Sequence, residues 1–146
     1  MHEGQIEVIR GIYDAFNRHD LDGILEGMHP DVEVAETQDL EYAAALLRVL
    51  GPRFVVLSAG YRGQEEVKKL FEAVWSIAEW FVAEPQEFVE GDEWVVVVLT
   101  LRARARGTGL EGEAQTAHYW EMRDGKGARL EVYTDKAKAL EAAATR

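Results

Sequence analysis

The stretch "GEAQTAHYWEMRDGKGARLEVYT", residues 112–134, holds two strand-like segments around a turn. Asp124, Gly125, Lys126 and Gly127 are the turn, a composition suited to a tight hairpin. A strand sends alternate residues to opposite faces, so Thr116, His118, Trp120 and Met122 share one face. Gln115, Ala117, Tyr119, Glu121 and Arg123 share the other. The first set is expected to look into apolar surroundings. A histidine sharing that face with tryptophan and methionine needs a reason.

Upstream, the segment 93–106 is a strand entered from the "EGDE" turn, with a shorter strand over 87–89 before it. Gly107, Gly109 and Gly112 form the next connection, where positive φ costs little. Downstream, "KAKALEAAA" (136–144) ends the chain as a short helix. The N-terminal part has a different period. Ile6, Ile9, Ile12, Tyr13 and Phe16 lie on one helical stripe. "NRHD" breaks it, and Asp20 caps a short second helix carrying Leu21, Ile24, Leu25 and Met28, which Pro30 is expected to end. "DVEVA" (31–35) is a short strand. A third helix is expected over 64–81, with Val67, Leu70, Phe71, Val74, Ala78 and Phe81 at helical spacing and Pro85 closing it. Helices first and strands later predict an α+β domain. A strongly curved sheet of this kind leaves a hollow under its helices.

The 146 residues suit a single domain, and 47% hydrophobic residues suffice for one substantial core. Asp plus Glu number 27 against 16 Lys plus Arg, a net charge of -11. That field repels phosphate backbones and anionic headgroups, so neither nucleic acid nor membrane is an expected partner. Absence of cysteine excludes disulfides, thiolate catalysis and thiolate metal sites. No signal-peptide pattern opens the chain, and its longest apolar run, "WVVVVLTL", is too short to cross a bilayer. A cytoplasmic location is expected.

Three stretches, "IYDAFNRHDLDGILEGMHPDVEV", "YRGQEEVKKLF" and the run from Arg102 to Ala143, occur in an order that resembles the nuclear transport factor 2-like superfamily. Within it the chain is similar to the SnoaL-like, polyketide-cyclase-like domains. The resemblance implies a cone-shaped fold: a strongly curved antiparallel or mixed sheet, three main helices on its concave side, and an enclosed cavity. It also implies frequent homodimers. It does not fix an activity, because the fold carries isomerases, cyclases, epoxide hydrolases, dehydratases and non-catalytic binders. The chain departs from the pattern over about 36–60, where "ETQDLEYAAALLRVLGPRFVVLSAG" stands in place of a brief loop. Residues 42–50 have helical composition, Gly51-Pro52 breaks them, and 54–57 fit an added strand. The segment is expected to cap the cavity mouth or pack at a dimer seam.

Three catalytic candidates follow. His118 is either a neutral core histidine bonded to a neighbour or, at the position where the ketosteroid-isomerase branch places an acidic hydrogen-bond donor, a cavity-facing acid–base group. Glu36 follows "DVEVA", where that branch carries its carboxylate base; otherwise it is a solvated strand-end glutamate. Asp135, in "YTD", either orients His118 or caps the last helix, with capping favoured. Tyr13, Phe16, Trp120 and Tyr133 are the candidate ligand-contacting residues. The steroid-isomerase tyrosine falls at Ile12, and a helix turns about 100° per residue, so core packing with a tethered hydroxyl suits Tyr13 better. Arg102, Arg104 and Arg106 are expected on the open sheet face, paired with Glu111 and Glu113. No cofactor and no metal site is expected: His2, His19 and His29 lack ligand spacing, and no Gly-rich phosphate loop follows a strand. The expected function is binding of an apolar small molecule, with cofactor-independent cyclase, isomerase or hydratase chemistry if the site is catalytic. The alternative is a non-catalytic binding or protein-association module.

Overall fold

A computed structural model of the protein describes residues 4–54 and 58–145. Helix α1 (Gln5–Asn17) buries Ile9, Ile12, Tyr13 and Phe16, the stripe its spacing predicts. Asp20 caps α2 (Leu21–Glu26), its carboxylate accepting from the Gly23 amide at 3.0 Å. Strand β1 (Met28–Val34) leads to α3 (Leu40–Leu50), a 3-10 turn (Gly51–Phe54), β2 (Tyr61–Arg62) and α4 (Gly63–Ile77). Then come β3 (Ala78–Glu90), β4 (Trp94–Ala105), β5 (Glu111–Arg123), β6 (Lys126–Tyr133) and α5 (Lys136–Ala144). The expected strand at 54–57 meets the 3-10 turn at its first residue, and residues 55–57 lie outside the described part.

The sheet has six strands in the order β2-β1-β6-β5-β4-β3. The β1–β6 pair is parallel and the other pairs are antiparallel, so the sheet is mixed and open. The expected α+β cone architecture is borne out. The main core lies between the concave face and α1, α3 and α4, with Val95, Val97, Leu99, Trp120 and Leu130 from the strands. A second cluster on the opposite face joins Val96, Ala117 and Tyr119 to Ala139 and Ala142 of α5. Tyr42, Leu46 and Leu50 of α3 belong to the main core. A Cβ on Gly112 would lie 2.1 Å from Val49, so β5 carries glycine where α3 presses on its backbone.

Two boundaries differ from expectation. The third helix stops at Ile77, and residues 78–90 form β3 with Pro85 inside it. The β3–β4 register shifts between Ala78 and Trp80, so Ala78 and Phe81 both face the core three residues apart. That spacing imitates a helix. Pro85 is tolerated because β3 is the outermost strand and the register shifts again between Pro85 and Glu87. Pro30 does not end α2 either: the helix stops at Gly27, and Pro30 sits in β1 between Met28 and Glu33, where pairing with β6 is interrupted. Gln64 secures the junction, its amide donating to the carbonyls of Leu25 (3.2 Å) and Met28 (3.0 Å).

Candidate functional site

His118 and Trp120 lie near the middle of the sheet. His118 pairs with Val97 of β4 and Val132 of β6, and Trp120 with Val95 and Leu130. Their shared parity turns both side chains toward the helices. Trp120 is seated closely, for a Cβ on Gly127 would lie 2.8 Å from its ring. From α1, Tyr13 reaches both. The Trp120 indole N–H donates to the Tyr13 hydroxyl oxygen at 2.9 Å, and that hydroxyl stands 2.6 Å from His118 Nδ1.

Proton counting fixes the roles. An indole N–H only donates, so the tyrosine oxygen accepts from Trp120 and its own proton needs an acceptor. His118 Nδ1 is the acceptor in reach. The imidazole is therefore the tautomer with hydrogen on Nε2. Burial pushes the His118 pKa down to about 3, which keeps the ring neutral. Burial also raises the Tyr13 phenol, against a lowering contribution from the Trp120 bond, so the hydroxyl keeps its proton.

These groups border an apolar pocket of about 110 Å³ between α1, α3, α4 and the sheet. Phe16, Tyr42, Leu70, Phe81 and Leu130 are among the other lining side chains. Phe16 packs its ring against Phe71, Trp75 and Phe81 at centroid distances of 5.8 to 5.9 Å. A wider surface groove of about 520 Å³ runs between the start of α3 and α5. Its Lys138 ammonium is already engaged by Asp39 and Glu41, and the imidazole is not in it.

Residues 9–130 match the family model of the SnoaL-like domain. The chain belongs to the SnoaL-like family, within the nuclear transport factor 2-like superfamily. Its fold is similar to that of TerC, crystallised with polyporic acid: 29% identity over 95% of this chain and 97% of that one, TM-score 0.72. A nuclear transport factor 2-like protein of unknown function from Burkholderia pseudomallei is 24% identical over 95% and 96%, TM-score 0.72. RV0760c from Mycobacterium tuberculosis, in complex with estradiol-17β-hemisuccinate, shares the fold at 16% identity over 91% and 95%, TM-score 0.67. No curated protein matches the chain.

In this SnoaL-like chain, His118, Trp120, Tyr13 and Phe16 come together at the pocket. Glu36, Asp135 and Tyr133 do not. Glu36 is exposed on the loop after β1, where its carboxylate accepts from the Gln38 amide at 3.3 Å. Asp135 is exposed and caps α5 by accepting from the Lys138 amide at 2.9 Å. Tyr133 has the parity opposite to Val132, which lines the pocket; its hydroxyl donates to Glu131 at 2.6 Å, and it packs with the α5 cluster.

Tyr42 and Asp39 were not among the sequence candidates. Tyr42, Leu46 and Leu50 recur at helical spacing behind a capping aspartate, which is the signal that marks them. The Asp39 carboxylate accepts from the Glu41 amide (3.0 Å) and, at 2.7 Å, from both the amide and hydroxyl of Thr134. Burial pushes its pKa up, but the bonds from Thr134, Lys138 and Tyr42 outweigh this and hold it at about 2. The expected pairing on the outer sheet face is present for two of the three arginines: Arg102 meets Glu113 and Glu84 at 3.2 Å, and Arg104 meets Glu111 at 2.7 Å and also Glu79, whereas the Arg106 guanidinium donates to the carbonyls of Ser76 and Ala78. Among the described residues, no helix is long and apolar enough to cross a membrane, and no three His, Asp or Glu side chains cluster as metal ligands would.

Proposed function

We propose that this SnoaL-like domain binds a small, largely apolar molecule in the pocket between His118, Trp120, Tyr13 and α3. The observation that carries the reading is the pocket itself: apolar walls around a Trp120–Tyr13–His118 hydrogen-bond chain that, among the described residues, has no charged partner. Such a site favours apolar surface and orients it with a few fixed polar groups. TerC, 29% identical, was crystallised with polyporic acid, and RV0760c with estradiol-17β-hemisuccinate, so related folds hold small molecules. The space of about 110 Å³ is below the roughly 300–1,000 Å³ of drug-sized sites. It suits a single ring.

His118 acts here as a hydrogen-bonding group. Its Nδ1 is filled by the Tyr13 proton, and among the described residues no carboxylate lines the pocket to pair with it. Binding and polarisation of a ligand atom fit this arrangement better than proton abstraction.

Toluene titration followed by tryptophan fluorescence and amide NMR tests the reading. The expected outcome is saturable binding with shifts at Tyr13, Trp120 and Leu130, lost when Ala83→Leu fills the pocket. Absence of saturation, or shifts confined to the outer groove, overturns it.

A further inference from the structure

We propose that the outer face of α3 binds the same face of a second copy of this chain, the two helices running antiparallel about a two-fold axis at Ala44. The inference is independent of the ligand reading and concerns a different face of the molecule.

It starts from what α3 leaves in water. The helix turns Tyr42, Leu46 and Leu50 into the core, while Leu40, Glu41, Ala44, Leu47 and Arg48 stay exposed. Leu40 is 82% exposed and Leu47 50%, two of the four large apolar side chains that the described residues leave open to solvent. Single exposed leucines are ordinary, but two on one short helix face make a stripe. The outer sheet face offers no equivalent. There α5 packs over Val96, Ala117 and Tyr119, and glutamates take up Arg102 and Arg104.

The order of the five exposed residues points to what covers them. At about 100° per residue, Leu40 and Leu47 fall on one flank of the stripe and Glu41 and Arg48 on the other, with Ala44 between. Ala44 is also the midpoint along the helix, four residues from Leu40 and Arg48 and three from Glu41 and Leu47. A stripe so arranged is complementary to itself when turned end for end. A two-fold axis at Ala44 lays Leu40 against the partner subunit's Leu47 and Glu41 against the partner subunit's Arg48, each pair within one residue of level. Alanine at the crossing lets the two backbones approach closely. Arg48 makes no ion pair among the described residues, and Glu41 has an exposed one with Lys138 at 3.1 Å. The antiparallel arrangement also sets the positive end of each helix beside the negative end of the other. Such a contact is closed, so it yields a dimer rather than an open series of copies.

Its size sets its strength. Eleven residues span about 16 Å, which places the contact at the small end of specific interfaces, under roughly 1,200 Å². The net charge of -11 on each copy opposes it. A weak, reversible dimer is expected, with a dissociation constant on the order of 100 µM.

Sedimentation equilibrium of the full chain, from about 10 µM to about 1 mM in about 0.15 M sodium chloride, tests the proposal. The wild-type mass is expected to rise with concentration. Glu41→Arg and Arg48→Glu should each weaken self-association by about ten-fold or more, because each sets like charges opposite one another twice. Their equimolar mixture should regain the wild-type affinity, since every pair between positions 41 and 48 is then of opposite sign. That recovery also shows both variants to be folded. A general charge effect predicts the reverse for Glu41→Arg, which lowers the net charge and would strengthen association. Leu47→Ser, which leaves every charge in place, should weaken association as well. Association that neither charge reversal weakens, or a mixture no better than its two components, overturns the proposal. A wild-type chain that stays monomeric up to about 1 mM overturns it too, and leaves the face to a partner of different sequence.

Discussion

Tyr13 holds two partners that have no other hydrogen bond at those atoms among the described residues. Replacing it by phenylalanine leaves the Trp120 N–H and His118 Nδ1 unmatched inside the protein. The expected cost is about 1–3 kcal/mol, read as a lower urea midpoint at unchanged slope. His118 makes a second prediction, in pH. Its folded pKa of about 3 lies below the ordinary value of 6.5, so the unfolded chain takes up a proton first as acid is added. The stabilising contribution is complete above about 6.5 and is lost as pH falls toward 3, by up to about 1.4 kcal/mol per pH unit. In unfolding measured from pH 7 to pH 4, His118→Phe should show a correspondingly shallower decline than wild type. The strand period is enough to set His118 and Trp120 on one face. The partner of the imidazole is not written in that period, because Tyr13 lies more than a hundred residues away and meets it only through the fold.

At the level of elements, α3 matters most for the site. Asp39 caps it, accepts from Thr134 at the β6–α5 junction, and pairs with Lys138. Asp39→Ala should cost at least the roughly 1 kcal/mol of a lost cap at neutral pH. It should also speed amide exchange across α3 and weaken ligand binding through Tyr42. With the folded pKa held at about 2, the aspartate's contribution is present above the unfolded value of 3.8 and disappears as pH falls toward 2. Wild type and variant should therefore converge in acid. Helix α5 was legible to the residue, because Asp135 and a run of good helix formers agree locally. The start of β3 was not, since a register shift places Ala78 and Phe81 together on the core side and copies the period of the preceding helix. The loop after β1 hid the fate of Glu36 for a different reason: where a strand ends, alternation no longer says which way a side chain points.

For the whole molecule, a net charge of -11 sets the response to salt. Most of the surface ion pairs, such as Arg102 with Glu113, are well exposed, so each contributes little. General repulsion among carboxylates is the larger effect, and screening relieves it. The melting temperature should rise as sodium chloride is raised from a few millimolar to about 0.15 M, where the Debye length is about 8 Å; a fall would mean that the ion pairs outweigh the repulsion. An open sheet has a further property, decided at its two borders. One border, β2, is only two residues long. The other, β3, has thirteen residues, and there the Asn17 amide donates to the Ala83 carbonyl while its oxygen accepts the Ala83 N–H. Two positions later Pro85 has no N–H to offer. Together they deny a foreign chain the ladder it needs to add itself to the sheet, so this SnoaL-like domain resists growth into fibres. The double variant Asn17→Ala, Pro85→Thr should scatter light sooner on prolonged warming than a control equally destabilised within its core.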